Sequence, residues 1–156
     1  MTYFDAITVL MAALGSLAFG ILFNVHGKKL LAITLGGAVS WLLVVFLGYA
    51  GADETSSYFL VAFLVSLYAE TLARLLKAPT TVFIIPSLIP LIPGSSLYYS
   101  MAYALGGERD LFVRTAINTL KLAAALAVGI IVATVLTQLF LKAHRFFVSR
   151  RENIKK

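Results

Sequence analysis

The chain has 156 residues, 60% of them hydrophobic and only 13% charged, with a net charge of +6 and no cysteine. A soluble domain carries about 25% charged residues, so this chain has too little polar surface to cover a water-soluble core, and its length suits one domain. The lack of cysteine excludes disulfides and thiolate metal sites, and the basic residues cluster between long apolar runs, a pattern of membrane orientation and not of a nucleic-acid-binding face.

The first charge-free run covers 6–27. A spanning helix needs about 20 apolar residues, so a first span is predicted over 5–26. No basic segment precedes it and no clean small-residue cleavage site follows, so it reads as a retained span. Ala12, Ser16 and Gly20 recur at four-residue spacing, a ridge that lets helix backbones approach closely. Asn24 is polar and near the end of the run, where it suits an interhelical hydrogen bond and lies along a candidate solute path.

Lys28 and Lys29 lead into a second charge-free run, 30–52, with a span predicted over 30–51. It carries a second ridge, Ala32, Gly36 and Ser40, and an aromatic, Trp41. Tyr49, and Tyr58 in the next run, suit an outer interfacial belt. Asp53 and Glu54 separate the second span from a third apolar run, 55–76, interrupted only by Glu70 and Arg74, with a span predicted over 56–77. Glu70 falls about 10 Å inside the edge marked by Lys77, at 1.5 Å per residue. Two readings of it stand: a local ion pair with Arg74 one turn away, or a proton- or cation-coupling site.

The fourth run, 78–107, is about ten residues longer than a crossing requires. Pro86, Pro90 and Pro93 fall close together and Gly94 follows. An interior proline removes a helical hydrogen bond and clashes with the preceding turn, so a span over 80–106 is predicted to be broken, with 86–96 non-helical near the membrane centre. Irregular backbone at that depth is tolerated only against protein or a wet cavity, and broken helices are how many transporters build solute sites. Ser95 and Ser96 should open a second half-helix, whose amides suit a carboxylate. Ser87, Tyr98 and Tyr99 are further polar or closing groups. The alternative is a kinked structural helix with capping serines.

The fifth span is predicted over 118–141, with a third ridge at Ala125, Gly129 and Ala133. The basic segment 143–156 then forms a tail. Lysine and arginine favour the cytoplasm, so the basic turns at 28–29 and 74–77 and the tail place the N-terminus outside and the C-terminus inside. The loop 108–121, with three basic residues, fits this least well. His26 and His144 lie far apart in sequence, have no metal-site spacing and read as interfacial residues.

The expectation is an all-α membrane protein of about five transmembrane helices over 1–142, the fourth broken by proline and glycine, in the cell (inner or cytoplasmic) membrane. No nucleophile–base pair, metal cluster or phosphate loop is visible, so neither an enzyme nor a cofactor is expected.

Particular residues add a resemblance. Ala69-Glu70, Ala73-Arg74, Lys77-Ala-Pro-Thr-Thr-Val-Phe83, Ile89-Pro-Leu-Ile-Pro-Gly94, Tyr98-Tyr-Ser-Met101 and Gly20-Ile-Leu-Phe-Asn24-Val25 resemble the threonine/serine exporter family. Nearly the whole chain is similar to the smaller, C-terminal-half subunit of its split members. One departure is visible: His26-Gly27 stand after Asn24-Val25, where a proline and basic residues are expected. The resemblance implies gradient-driven export of small hydrophilic metabolites, most simply threonine or serine, together with a larger membrane subunit. Dicarboxylates such as succinate are an alternative substrate, and a structural or assembly subunit or a passive channel are alternative roles. The residues expected to bind or line the path are Glu70, Arg74, Thr80, Pro90, Pro93, Gly94, Ser95, Ser96, Tyr98 and Asn24.

Overall fold

A computed structural model describes the backbone of residues 3–154 and the side chains of residues 3–143. The side chains of the basic tail from His144 onward, Ser149 included, lie outside the described residues. The chain is all-helical, with no strand among the described residues. Helix α1 spans Tyr3–Leu22, α2 Lys28–Tyr49, α3 Glu54–Leu75 and α4 Thr81–Leu88. A short 3-10 turn, Ile89–Leu91, follows α4; α5 spans Gly94–Leu105 and α6 Arg109–Ile154. Four helices are long and apolar enough to cross a membrane, and α4 to Leu91 together with α5 forms a fifth candidate, bent by 55°. At 46 residues α6 is far longer than its apolar run needs. The helix is about 70 Å long, so about 40 Å of it must project beyond a hydrocarbon core of about 30 Å.

The helix ends are set by tight turns. Asn24 closes α1 in the left-handed region (φ 59°), with its amide on the Ile21 carbonyl and the Val25 amide on the Gly20 carbonyl. This is the Schellman arrangement, which satisfies orphan carbonyls at a helix end. Gly51, Lys77 and Gly107 close α2, α3 and α5 in the same left-handed conformation. Asp53 caps the start of α3 through its carboxylate, which accepts from the Thr55 amide at 3.1 Å.

Lipid supplies no hydrophobic drive between helices, so close packing must hold the bundle. All nine residues of the three small-residue ridges are buried. On α1 and α2 the register is antiparallel. Gly20 lies against Leu30 and Ile33, Gly37 against Ser16 and Ala12, and the Tyr49 hydroxyl donates to Asp5 at 2.6 Å. A side chain at Gly129 would come within 2.6 Å of the Phe59 carbonyl, so α6 lies on the backbone of α3 there. Gly36 faces Ser87 of α4 and Tyr68 of α3. The Tyr68 hydroxyl ties these elements by donating to the Ala32 carbonyl at 2.9 Å.

Helix α4 sits inside this frame, packed on α1, α2 and α3, while α5 packs on α6. Its direction follows from its contacts. Phe83 clusters with Ala32 and Ile33, Ser87 meets Gly36, and Pro90 lies beside Trp41, so α4 runs parallel to α2. Trp41 is 13 residues from Lys28, about 20 Å along a helix about 33 Å long. The break therefore lies somewhat past the middle of the bundle, towards Tyr49.

Candidate functional site

The broken segment is less unwound than its prolines suggest. The stretch 86–96 is not wholly non-helical: Pro86 lies inside α4, Pro90 within the 3-10 turn, and α5 resumes at Gly94. Only Ile92 (ψ 123°) and Pro93 (ψ 58°) leave helical geometry. The reason is position. A proline disrupts a helix only where its missing N–H was needed. Pro90 falls in the first turn of a new element and Pro93 at the cap of α5, where amides have no intrahelical partner. Pro86 alone removes an interior bond, and the Val82 carbonyl loses its usual donor.

The two sides of the break differ. Phe83, Pro86, Ser87, Leu88 and Leu91 are all buried, whereas Ile92 is 59% exposed and Ser100 is the only buried residue of α5. Ser95 and Ser96 occupy the first turn of α5, and no side chain caps that turn. Among the described residues, no backbone acceptor is found for their amides. A side chain at Gly94 would meet open space, so among the described residues nothing fills the break beside it. Tyr98 is 68% exposed and meets Tyr99 edge-on at 5.5 Å, and Tyr99 stacks on Tyr103.

Three other expectations need correction. Asn24 makes no interhelical hydrogen bond among the described residues; it is an exposed turn residue whose carbonyl faces His26 Nδ1 at 2.9 Å. The apolar run continued past the true helix end, because asparagine readily takes the left-handed cap. Ser87 does not face a solute path: it is fully buried and directed at the Ile33 carbonyl, 3.5 Å away. Tyr58 is not at an outer belt but buried in the core with Val61, Leu91 and Leu122.

Glu70 is buried, and its Oε2 accepts from Arg74 Nη2 at 2.9 Å. The local pair is therefore present, with the guanidinium side chain 43% exposed and the carboxylate side chain only 10%. Removing Arg74 would leave a buried charge uncompensated. The pair is not next to the break. Tyr68 and Ala69 set this part of α3 level with Ala32, nine residues from Trp41, so the two sites are separated by about 13 Å along the bundle. Thr80 precedes α4 at the same end as Glu70, with helical backbone and no capping hydrogen bond from its side chain. The expected site residues thus fall into two groups: Glu70, Arg74, Thr80 and Asn24 towards the Lys28 end, and Pro90 to Tyr98 around the break.

The sequence did not bring Thr8, Met11 and Trp41 together beside the break. Pro90 lines a cleft with Thr8, Met11, Ala12 and Trp41. The Trp41 indole N–H is buried with no hydrogen-bond partner among the described residues, as are the hydroxyls of Ser16 and Ser66. A usable signal was present: Trp41 lies one helical turn after Gly37, on the stripe that meets α1.

Among proteins already grouped into families, the match is to a family described as "Threonine/Serine exporter, ThrE", over residues 8–136. None of the curated proteins and none of the solved structures matches the chain.

Proposed function

This chain belongs to the threonine/serine exporter family, and we propose that it moves threonine or serine out of the cell across the cytoplasmic membrane, driven by an ion gradient, as one half of a larger membrane assembly. The observation that carries this is the helix broken within the bundle. The uncapped first turn of α5 presents amides and the positive end of a helix dipole at the break, which suits the carboxylate of an amino acid. Pro93, Gly94, Ser95 and Ser96 are the groups assigned to that carboxylate. Tyr98 closes over the bound solute.

Two further features support parts of the assignment. A bend of 55° leaves α4 and α5 advancing in the same general sense. Their combined path of about 30 Å matches one crossing. Five crossings then put the basic turns 28–29 and 74–77 on the cytoplasmic side with the C-terminus. At the break Ile92, Gly94 and Ser95 are exposed and Pro93 is only partly covered by the described residues. Irregular backbone cannot face lipid, which supports a larger membrane subunit against α5. Glu70 is assigned to gradient coupling, with Arg74 as its charge partner at the cytoplasmic end.

The test is efflux from proteoliposomes holding this chain alone and with its membrane partner, under an imposed gradient. Threonine and serine efflux is expected with the pair. Gradient-independent leak, or transport of succinate but not threonine, would overturn the assignment.

A further inference from the structure

The polar side chains of α3 form a file that runs inward from the Lys77 end. Ser66, Glu70 and Arg74 stand four residues apart, so they lie on one face of the helix. A long helical side chain leans back over the preceding turn, so Arg74 reaches over Glu70 and Glu70 over Ser66. The first contact is made, with Arg74 Nη2 donating to Glu70 Oε2 at 2.9 Å. The second is not: Ser66 Oγ is fully buried and has no hydrogen-bond partner among the described residues. Other hydroxyls of α3 behave differently. Ser57 and Thr71 donate to the carbonyl four residues back, a common outlet for a helical hydroxyl. Ser66 leaves that bond unmade, and an unpaired buried hydroxyl is costly. Packing alone does not require it, since an alanine, Ala62, serves against Gly129 one turn earlier.

We infer that Ser66 is the second partner of Glu70: the carboxylate holds Arg74, and the protonated acid turns inward to Ser66. An ionised carboxylate only accepts hydrogen bonds, which suits a guanidinium. Once it takes a proton from solvent it carries an O–H donor and loses its charge attraction for Arg74. Ser66 Oγ then accepts from that O–H, and its own hydroxyl is free to donate to the other acid oxygen. Residues four apart have Cβ atoms about 5–6 Å apart, so a change of Glu70 rotamer is enough and no helix moves. Arg74, left behind, is already open to solvent. The elements packed on α3 bring no competing charge to this depth. Helix α4 has no ionisable residue, α2 has none between Lys29 and Tyr49, and α6 has none between Lys121 and Lys142. On α3 itself, the Tyr68 hydroxyl is engaged by the Ala32 carbonyl. Lys28, Lys77 and Lys142 are exposed and Lys29 is partly so. The inference rests on the assignment of Glu70 to gradient coupling for its consequence in transport, and adds the residue that receives the neutral acid.

Two measurements test Ser66 and that assignment separately. Infrared difference spectra of the purified full chain on acidification report protonated carboxyls, and the band missing from Glu70→Gln belongs to Glu70. Ser66→Ala should move this band to higher frequency, as a carbonyl stretch does when it loses a hydrogen bond. Ser16→Ala is the control. Its hydroxyl is also buried and unpartnered among the described residues, but Ala12 and Gly20 are its neighbours one turn away, so the band should stay in place. An unmoved band in Ser66→Ala, an equal shift in both variants, or no Glu70 band at any pH where the protein stays folded overturns the inference. In proteoliposomes holding the pair of subunits, gradient-driven export by Ser66→Ala should fall about tenfold, the worth of one hydrogen bond. Lowering the pH by about one unit on both sides should restore it, which a packing defect would not allow; export that stays low would sink the role of Ser66. A shifted band together with unaltered export by Glu70→Gln leaves the pairing standing and removes the coupling assignment.

Discussion

The two sides of the break are built for different surroundings. Before it, α4 and the 3-10 turn are wedged among α1, α2 and α3, with Phe83 and Leu91 fully buried and Ser87 pressed against Gly36. After it, α5 packs on α6 and leaves Tyr98, Met101 and Leu105 outward, the last 89% exposed. The first half is fixed by this chain's own packing. The second has its backbone satisfied along its length but its first turn and its outer face unfinished. The contrast separates what the chain needs in order to fold from what it offers to a solute or a partner.

The sharpest way to break this contrast is Ser87→Leu. Its side chain would enter the contact with Gly36, where helix backbones cannot separate without disturbing Tyr68 as well. Overpacking of this kind costs about 1–3 kcal/mol, so the melting temperature of the solubilised protein should fall and export should fall with it. A variant as stable as the wild type would show that α4 is not wedged. Gly94→Leu probes the other side. Open space at Gly94 predicts a change in stability within about 0.5 kcal/mol, together with loss of export, because the new side chain occupies the solute's side of the break. Lowered stability in the chain alone would mean that the break is packed after all.

Glu70→Gln tests the distant charge pair. The shape is kept and the partner of Arg74 becomes neutral, so gradient-driven export should drop several-fold at an unchanged membrane level. Equal export would reduce Glu70 to a structural partner of Arg74. The absence of native cysteine allows a labelling comparison without background. Cysteine at Ser95 should react with a water-soluble thiol reagent and cysteine at Ser87 should not, while cysteine at Ser149 should be shielded from an impermeant reagent in intact cells. Reaction at Ser87 would place water behind α4, and ready reaction at Ser149 would reverse the orientation. The smallest effect belongs to Leu105→Ala at the exposed end of α5. Stability and export by the isolated assembly should both stay near wild type, and a large loss would place a tight contact there.

Much of this was legible in the residue order. Lengths of charge-free sequence are enough to count spans, since a bilayer imposes one thickness on every crossing. The ridges at Ala12, Ala32 and Ala125 named the contact faces, because only small residues let helices approach without a hydrophobic drive between them. The break was visible in Pro90, Pro93 and Gly94. Its extent was not: Pro86 reads the same in sequence as Pro93, and only the position of each within a turn decides whether its missing N–H matters. Asn24 misled for a related reason, since an apolar run does not record where a helix stops and a left-handed cap begins.

The sequence by itself determined that the chain is a membrane bundle, how many apolar segments it has and which one is broken, because those properties are local and additive along the chain. The tertiary structure alone decided that α4 is enclosed while α5 is not, that Glu70 stands about 13 Å from the break, and that Trp41 meets Thr8 and Pro90 across three different elements. Such neighbours depend on which helix faces which and in what register, and in this bundle the register is set by pairs such as Gly37 with Ser16 and Gly129 with Phe59, far apart in sequence.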